Sequence, residues 1–473
     1  MDAFAPAHVH LSALARGDYS PAELLNMYLA RMDKYNPSLN AIIWQDLEKA
    51  HNQAQAPFDP TKPLSGLPMT VKEAFDLKGA PTTWGIPEFA KNIATSDSLT
   101  VERLSKAGAN IFGKTNVPLQ LSDIQSFNDI YGRTNNPWNL ERTCGGSSGG
   151  SAASLASGLV ALEMGSDIGG SIRTPAHFCG VFGHKPTWGV IPSLGHALPG
   201  EVVEPDIAVV GPLARSATDL LMMFNLLAHP TELEAAIRYD WKGLEGRSLG
   251  DLRIACWAND EVAPVARDVE AAVMKVAQAF KDAGAKVNEQ ARPHITSDNF
   301  NRLYQDMLWG FLAAGMSDDE HKGLINATSN LPESSQDEVT RSFRAMTMDH
   351  RNWLKLHNQR EHLRWAWHTF FKDFDLVISP VTATAAFPHD PTPITERKLD
   401  VDESSQAFLQ QFFWAGLPNI PQLPSTVIPT GVNSEGLPIG VQIIGPAYGD
   451  KLTLEVAELL EGDGFAFQAP PNY

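Results

Sequence analysis

The segment from Gly145 to Arg173 reads GGSSGGSAASLASGLVALEMGSDIGGSIR and contains two glycine-rich turns, at 145–150 and at 169–170. Between the turns, the pattern predicts a helix of small residues over 151–158 and an apolar strand over about 159–164. A flexible linker would not run directly into such apolar elements, so we expect both turns to be ordered parts of a folded core. Glycines beside a helix start bring backbone N–H groups close to a ligand, which makes this segment a candidate for chemistry.

Strands and helices alternate on both sides of this segment. The turn Asn433-Ser434-Glu435-Gly436 separates two apolar runs and predicts a hairpin, so the sheet contains antiparallel as well as parallel pairs. The alternation predicts an α/β fold, with a large mixed β-sheet sandwiched by helices. Further predicted strands lie at 67–71, 109–112, 252–256, 285–287, 376–379, 425–428 and 439–444.

The predicted helices and connections suggest how the chain is organised. Ser20-Pro21-Ala22-Glu23 is a capping box with proline at the first helical position. The chain, 1–473, is interpreted as a single domain, in which about 230–372 is a more variable helical portion set on an α/β core. Further predicted helices lie at 99–107, 265–283, 298–316 and 341–372, and polar surface connections at 228–250, 317–340 and 386–405.

Composition and charge exclude several classes of protein. With 43% hydrophobic and 19% charged residues in 473, the chain has ordinary globular composition rather than that of a disordered one. The net charge of −18 repels phosphate backbones, so we expect no nucleic-acid partner. No apolar run approaches the length of a membrane span, and the N-terminus lacks the pattern of a signal peptide. Three widely spaced cysteines predict no disulfide framework, which is typical of a cytoplasmic protein.

One motif match is misleading. Residues 108–115, GANIFGKT, fit the P-loop pattern GxxxxGK[ST] literally. A P-loop follows a strand and opens a helix at its lysine. Here a predicted helix precedes Gly108, the residues after it are strand-like, and Pro118 follows soon after Thr115. Gly108 is therefore interpreted as a helix C-cap, and we expect no nucleotide site.

The second glycine turn places a serine, Ser171, directly after two glycines. Free N–H groups around such a turn can form an oxyanion hole, although an ordinary strand-to-helix turn with an N-cap serine has the same pattern. A nucleophilic serine needs a base. The nearest histidines, His177, His184 and His196, belong to no nucleophile elbow. Lys72, at the end of an apolar strand, could serve if burial lowers its pKa, and a surface lysine is the alternative.

Three segments together resemble the amidase signature family. They are MTVKEAFD around Lys72, GGSSGGSAA around Ser147 and GSDIGGSIRTPA around Ser171, separated by 75 and 24 residues. Shorter segments, among them FGKTNVP, NNPWN and GLPIGVQIIGP, agree with the family's pattern. The resemblance covers nearly the whole chain and is weakest over about 230–372.

The resemblance implies a Ser-Ser-Lys triad. Ser171 would be the nucleophile, Ser147 the bridging serine, held by a cis peptide bond after Gly146, and Lys72 the base. Backbone N–H groups of the second glycine turn would stabilise the oxyanion, and two residues are candidates for substrate binding. The oxyanion donors would be Ile168, Gly169, Gly170 and Ser171, and the substrate-binding candidates are Gly146 and Trp84.

The implied enzyme is an amidase that cleaves C–N bonds other than peptide bonds, with activity extending to carbamates, as a urethanase, and to esters, as an esterase. We expect a small-molecule amide or carbamate substrate and neither metal nor cofactor. The alternative is the glutamine-hydrolysing subunit of a tRNA-dependent amidotransferase, and a catalytically inactive interaction protein is disfavoured because all three triad positions are filled. The oligomeric state is left open, a homodimer included.

Two features bear on the surroundings of the triad. Aromatic residues in connections, Trp84, Phe127 and Trp138, and an apolar stripe over 300–311 predict a substrate with an apolar substituent, although core packing also explains the stripe. Position 144 is often proline in the family and is cysteine here. We interpret Cys144 as a small buried filler rather than as a reactive thiol.

Overall fold

The computed structural model describes residues 1–332, 334–335 and 337–473. Its strands are β1 Ile42–Gln45, β2 Pro68–Lys72, β3 Asn110–Thr115, β4 Phe127–Asn128, β5 Gly132–Arg133, β6 Asn135–Asn136, β7 Asn139–Thr143, β8 Glu163–Asp167, β9 Phe182–Lys185, β10 Val209–Ala214, β11 Arg253–Cys256, β12 Lys286–Asn288, β13 Leu376–Pro380, β14 Lys398–Val401, β15 Ser404–Ala407, β16 Ser425–Val432 and β17 Pro438–Ile444. Its helices are α1 Ala7–Arg16, α2 Pro21–Leu39, α3 Leu47–Ala54, α4 Leu99–Lys106, α5 Gly149–Ala156, α6 Arg173–Cys179, α7 Ala217–Leu227, α8 Arg267–Asp282, α9 Ser297–Leu312, α10 Asp318–Ser329, α11 Glu338–Met346, α12 His350–Phe370, α13 Phe412–Asn419 and α14 Asp450–Gly462.

A mixed sheet forms the centre of the fold. Its eight strands run in the order β12-β11-β13-β17-β16-β9-β10-β8, with β11 parallel to both β12 and β13 and the remaining pairs antiparallel. A three-stranded sheet, β1-β3-β2, lies beside it, and the Thr70 hydroxyl on β2 donates to the Glu163 carboxyl group on β8. The predicted α/β class with a large mixed sheet flanked by helices is thus confirmed, including the β16–β17 hairpin.

The helix after the first glycine turn, α5, is buried along its whole length. Its small residues allow the main chain to approach neighbouring strands closely. A Cβ atom at Gly150, for example, would collide with the main-chain nitrogen of Asn116 just after β3. This close packing holds the first glycine turn, which precedes α5, firmly against the ends of β2 and β8.

Several local predictions are confirmed. The capping box at the start of α2 is formed: the Glu23 main-chain N–H donates to the Ser20 hydroxyl, and the Ser20 main-chain N–H donates to the Glu23 carboxylate. Over 108–115 the order is helix, turn, strand: α4 ends at Lys106, Gly108 has φ +97°, and β3 follows. That is the reverse of the order that a P-loop needs.

The strand predicted over 159–164 is wrong in its placement, because β8 begins only at Glu163. In the structure Glu163 is fully buried and accepts a hydrogen bond from Thr70, and burial raises the pKa of its carboxyl to about 8. A protonated, neutral carboxyl group can occupy a buried strand. The pattern of apolar residues does not predict this protonation state.

The connection predicted over 317–340 is also wrong in part, because it contains α10, while residues 333 and 336 lie outside the described part of the chain. None of the residues of α10 is buried, so the helix lacks the apolar stripe by which helices are recognised.

Two other predicted segments differ in detail. The connection predicted over 386–405 contains β14 and the start of β15, and on β14 Leu399 and Val401 are buried while their neighbours are exposed. The helical stretch over 341–372 is divided by Asp349, which caps α12. Among the described residues, no helix combines the length and apolarity needed to cross a bilayer.

Candidate active site

Three chain segments meet beside the edge of the large sheet. Lys72 is the last residue of β2, Ser147 lies in the turn before α5, and Ser171 lies in the turn between β8 and α6. The main-chain N–H of Ser148 donates to the carbonyl oxygen of Ser171 at 3.1 Å, which ties the two turns together. The structure therefore brings all three predicted triad residues into one region of the fold.

The Lys72 ammonium position is surrounded by hydroxyl groups. Its Nζ atom lies 2.7 Å from Ser147 Oγ, 3.1 Å from Ser148 Oγ and 2.9 Å from Ser166 Oγ. The residue is fully buried, and burial lowers the pKa of Lys72 to about 7, although the charges of Asp167 and Glu73 act in the opposite direction. A lysine in this environment is available in its neutral form near pH 7, as a base must be.

The turn before α5 holds Ser147 in place. The peptide bond between Gly146 and Ser147 is cis, and Ser147 is almost fully buried. A Cβ atom at position 146 would lie 2.5 Å from the carbonyl oxygen of Asp123, so only glycine fits there. The main chain of Gly146 is therefore packed against the Asp123 segment, which itself borders the cavity over Ser171.

The Ser171 side chain borders a cavity. It is among the groups that line a narrow space of about 40 Å³. Lys72 donates a hydrogen bond to the Ser147 hydroxyl, and within the described residues no hydrogen bond joins the Ser147 and Ser171 hydroxyls. Ser171 thus borders a space that a substrate carbonyl could enter.

The turn that carries Ser171 is organised by Asp167. This carboxylate accepts the main-chain N–H of Gly170 at 2.9 Å and that of Ile172 at 3.1 Å, and it pairs with the Arg173 guanidinium at 2.8 Å. Burial alone would raise the pKa of Asp167, but the charge and hydrogen bonds of Arg173 hold it well below its usual range. Both side chains are fully buried, so the pair acts as an internal brace for the turn.

The free N–H groups of this turn differ from the predicted set. In the part of the chain that the structure describes, the N–H groups of Ile168, Gly169 and Ser171 have no protein acceptor. The Gly170 N–H, in contrast, is occupied by Asp167, and Gly170 has φ +98°, a conformation that favours glycine. Three of the four predicted donors thus remain available to an oxyanion in this conformation.

A second, larger cavity of about 690 Å³ adjoins the narrow one, and Ser122, Trp309, Leu312 and Ile394 line both. The only charged side chain on the narrow cavity, among the described residues, is Asp123, which forms two 2.8 Å contacts with the Arg397 guanidinium. The walls are otherwise largely apolar. The narrow cavity is lined by Leu121, Ser122, Asp123, Ile124, Ile168, Gly169, Ser171, Gln305, Leu308, Trp309, Leu312, Ile394, Leu409 and Phe412.

The aromatic side chains predicted to form a pocket separate into two groups. Trp84 lines the larger cavity, whereas Phe127 and Trp138 line neither, and Trp138 donates its indole N–H to the Cys179 carbonyl. The apolar stripe on α9 contributes both to the core and to the pocket wall. Phe300, Tyr304 and Met307 are buried in the core. Leu308 lines the narrow cavity and Phe311 the larger one.

The remaining candidates lie in surroundings that do not favour catalysis. His177 and His184 are buried and bonded to Gly440 and Asp450, and burial lowers the pKa of His196, which borders the larger cavity, to about 3. Burial raises the pKa of the Cys144 thiol to about 12. Among the described residues, no three His, Cys, Asp or Glu side chains come together as a metal site would require.

Comparisons with known proteins agree on one family. A family model described as Amidase matches residues 23–454. The acylamidase of Rhodococcus erythropolis is 31% identical over 462 residues, 95% of this chain and 93% of that protein. A glutamyl-tRNA(Gln) amidotransferase subunit of Roseiflexus sp. (strain RS-1) is 30% identical over 482 residues, 94% of this chain and 93% of that one. The crystal structure of a bacterial aryl acylamidase of the amidase signature family superposes with a TM-score of 0.82 at 22% identity, covering 98% and 96% of the two chains.

Proposed function

The chain belongs to the amidase family, which acts on carbon–nitrogen bonds, and from this premise we propose that it hydrolyses neutral amides through Ser171, Ser147 and Lys72. The observation that carries the proposal is the 2.7 Å contact between Lys72 Nζ and Ser147 Oγ. It joins a buried lysine with a lowered pKa to a hydroxyl in the turn that is bonded to the Ser171 turn.

The proposed reaction begins with proton transfer. Neutral Lys72 takes the proton of Ser147, Ser147 takes that of Ser171, and the Ser171 oxygen attacks the substrate carbonyl carbon. The relay requires the Ser147 and Ser171 hydroxyls to come into hydrogen-bond contact when substrate is bound, and such contacts are commonly longer in a free enzyme.

The tetrahedral intermediate carries its negative charge on the former carbonyl oxygen. The free N–H groups of Ile168, Gly169 and Ser171 are the proposed donors to that oxyanion. As the C–N bond breaks, the proton held on the relay passes to the nitrogen and the amine leaves. Water then attacks the ester of Ser171 by the same route, the acid is released, and the serine hydroxyl is restored.

The largely apolar lining of the two cavities favours a neutral substrate with an apolar substituent. The narrow cavity over Ser171 admits little beyond the reacting group, and the larger cavity that adjoins it has room for an aryl or alkyl part. Burying apolar area there favours binding by about 25 cal/mol per Å². Carbamates and esters present the same carbonyl group to Ser171 and are included in the proposal.

The second candidate is glutamine hydrolysis in the service of an amidotransferase, which the relative at 30% identity favours. Free glutamine carries a carboxylate and an ammonium group. Within the described residues, the narrow cavity presents no cation for that carboxylate, because its one charged residue is Asp123, already paired with Arg397. We therefore place amide hydrolysis by the chain alone first.

A substrate panel tests the choice. Purified protein is assayed alone with an aryl amide, an alkyl amide, a matching carbamate, an ester and glutamine, with Ser171→Ala as the control in every assay. We expect the aryl or alkyl amide to have the highest kcat/KM. Glutamine as the best substrate, or turnover only with added partner proteins and tRNA, would favour the amidotransferase function.

A further inference from the structure

The peptide group between Ile168 and Gly169 is held from one side by two side chains. The Tyr304 hydroxyl, on α9, donates to the Ile168 carbonyl oxygen at 3.1 Å, and the Asn419 amide, on α13, donates to the same oxygen. Tyr304 belongs to the helical portion and is 136 residues from Ile168 in the chain. A helix of that portion therefore reaches directly into the turn that carries Ser171.

The orientation of this carbonyl fixes that of the next N–H group. In a trans peptide the C=O and N–H bonds point in opposite directions, so the Gly169 N–H points away from Tyr304 and Asn419. That N–H has no protein acceptor among the described residues, and Gly169 lines the narrow cavity together with Ser171.

The Tyr304 ring packs closely against the main chain of α13. A Cβ atom at Gly416 would lie 2.5 Å from Tyr304 Cδ1. Tyr304 is fully buried, and burial raises the pKa of its hydroxyl, so that it remains a donor at any pH of interest. The absence of a side chain at Gly416 thus allows the Tyr304 ring to lie where its hydroxyl reaches the Ile168 carbonyl.

We propose that Tyr304 is a positioning residue, which aims and polarises the Gly169 N–H as an oxyanion donor through the shared peptide group; the inference rests on the proposed function. A donor bound to a carbonyl strengthens the N–H of the same peptide as a hydrogen-bond donor. Asn419 shares the task, but it also donates to the Asp167 carboxylate at 3.2 Å. Tyr304 is therefore the cleaner position to test.

The test is Tyr304→Phe, which keeps the ring and removes only the hydroxyl. We expect kcat for an aryl amide to fall about tenfold with KM within twofold of wild type. This is less than the roughly 100- to 1000-fold loss that follows removal of an oxyanion donor itself. The inhibition constant of a boronic acid or trifluoromethyl ketone, which imitates the tetrahedral state, is expected to rise by the same tenfold. The pH dependence of the rate is expected to stay unchanged.

Tyr28→Phe is the matched control, because Tyr28 is also fully buried and its hydroxyl lies 3.0 Å from His10 Nε2, in another part of the core. We expect a similar change in Tm in both variants and a loss of kcat only in Tyr304→Phe. Wild-type kcat and inhibitor affinity in Tyr304→Phe, an equal loss of kcat in Tyr28→Phe, or a shifted pH profile would each overturn the inference. Activity that survived in Ser171→Ala would instead overturn the proposed function.

Discussion

Lys72 Nζ lies 2.7 Å from Ser147 Oγ, although the two residues are 75 positions apart in the chain. Its other hydrogen-bond partners are hydroxyl groups too, and among the described residues Lys72 forms no salt bridge. Hydroxyl groups hold the amine without neutralising an ammonium charge, so the cost of burying that charge is not offset. The arrangement therefore favours the neutral amine that a general base requires.

The first prediction concerns pH. Burial lowers the pKa of Lys72 to about 7, so the amine is protonated and inactive below that pH and neutral above it. We expect kcat/KM for an amide to fall about tenfold per pH unit below 7 and to level off above it. Rates measured from pH 5 to 9 test this, and a flat profile would contradict a lysine base.

Two variants test whether Lys72 is the group whose titration causes this pH dependence. Lys72→Ala is expected to lose at least about 100-fold in activity together with the acidic limb of the profile. Lys185→Met is the control, because burial also lowers the pKa of Lys185 to about 7 while its Nζ donates to the Pro186 carbonyl. If the limb disappeared in Lys185→Met and remained in Lys72→Ala, the base would have to be reassigned.

The second prediction concerns the nucleophile. Ser171→Ala is expected to lose about 1000-fold or more in kcat, because the covalent route is gone, while unfolding free energy changes by about 1 kcal/mol at most. A fluorophosphonate should label Ser171, as mapped by peptide mass spectrometry. Ser157→Ala, which removes another buried hydroxyl bonded to the Ala153 carbonyl, is expected to remain active. Label on a different serine with loss of activity would move the nucleophile there.

The third prediction concerns the three thiols. Cys144, Cys179 and Cys256 are all buried, and burial raises the pKa of each, to about 12 for Cys144 and about 11 for Cys256. Only the thiolate reacts with alkylating reagents, so iodoacetamide at pH 8 should leave both the folded thiols and the activity unchanged. Unfolded protein should take up three equivalents. Rapid inactivation with modification of Cys144 would contradict the interpretation of this residue as buried filler.

The resemblance to the amidase signature family is what predicts Lys72, Ser147 and Ser171 as a triad, since the residues alone also allow an N-cap serine at 171 and a surface lysine at 72. The sequence predicts the cavity wall only in part, through Trp84 and the stripe positions Leu308 and Phe311. Trp309, Ile394 and Phe412 come from three distant segments, and their residue types are the same as those of ordinary core positions. Which of them borders a space and which packs against a neighbour is decided only by tertiary structure.

The occupied N–H of Gly170 illustrates a second limit. The residues Ile168 to Ser171 predict a turn with several free donors, and the turn exists. Whether a given N–H is free depends on where the Asp167 carboxylate lies, and Arg173 fixes that position through a buried ion pair. Differences of a few tenths of an ångström decide whether an N–H group donates to the Asp167 carboxylate or stays free for an oxyanion. The sequence pattern does not contain such distances.

The last prediction concerns the substrate. Trp309 lines both the narrow and the larger cavity, so an aryl substituent that leaves the first for the second must pass it. If its ring contacts the substituent over about 100 Å², Trp309→Ala removes about 2.5 kcal/mol, a loss of about 70-fold in kcat/KM. Acetamide, which has no such substituent, should lose less than threefold, and the exposed Trp365, 68% accessible on α12, serves as the control in Trp365→Ala. An equal loss for both substrates would show damage to the Ser171 region rather than loss of a binding surface, and unchanged aryl amide hydrolysis would place the substituent elsewhere.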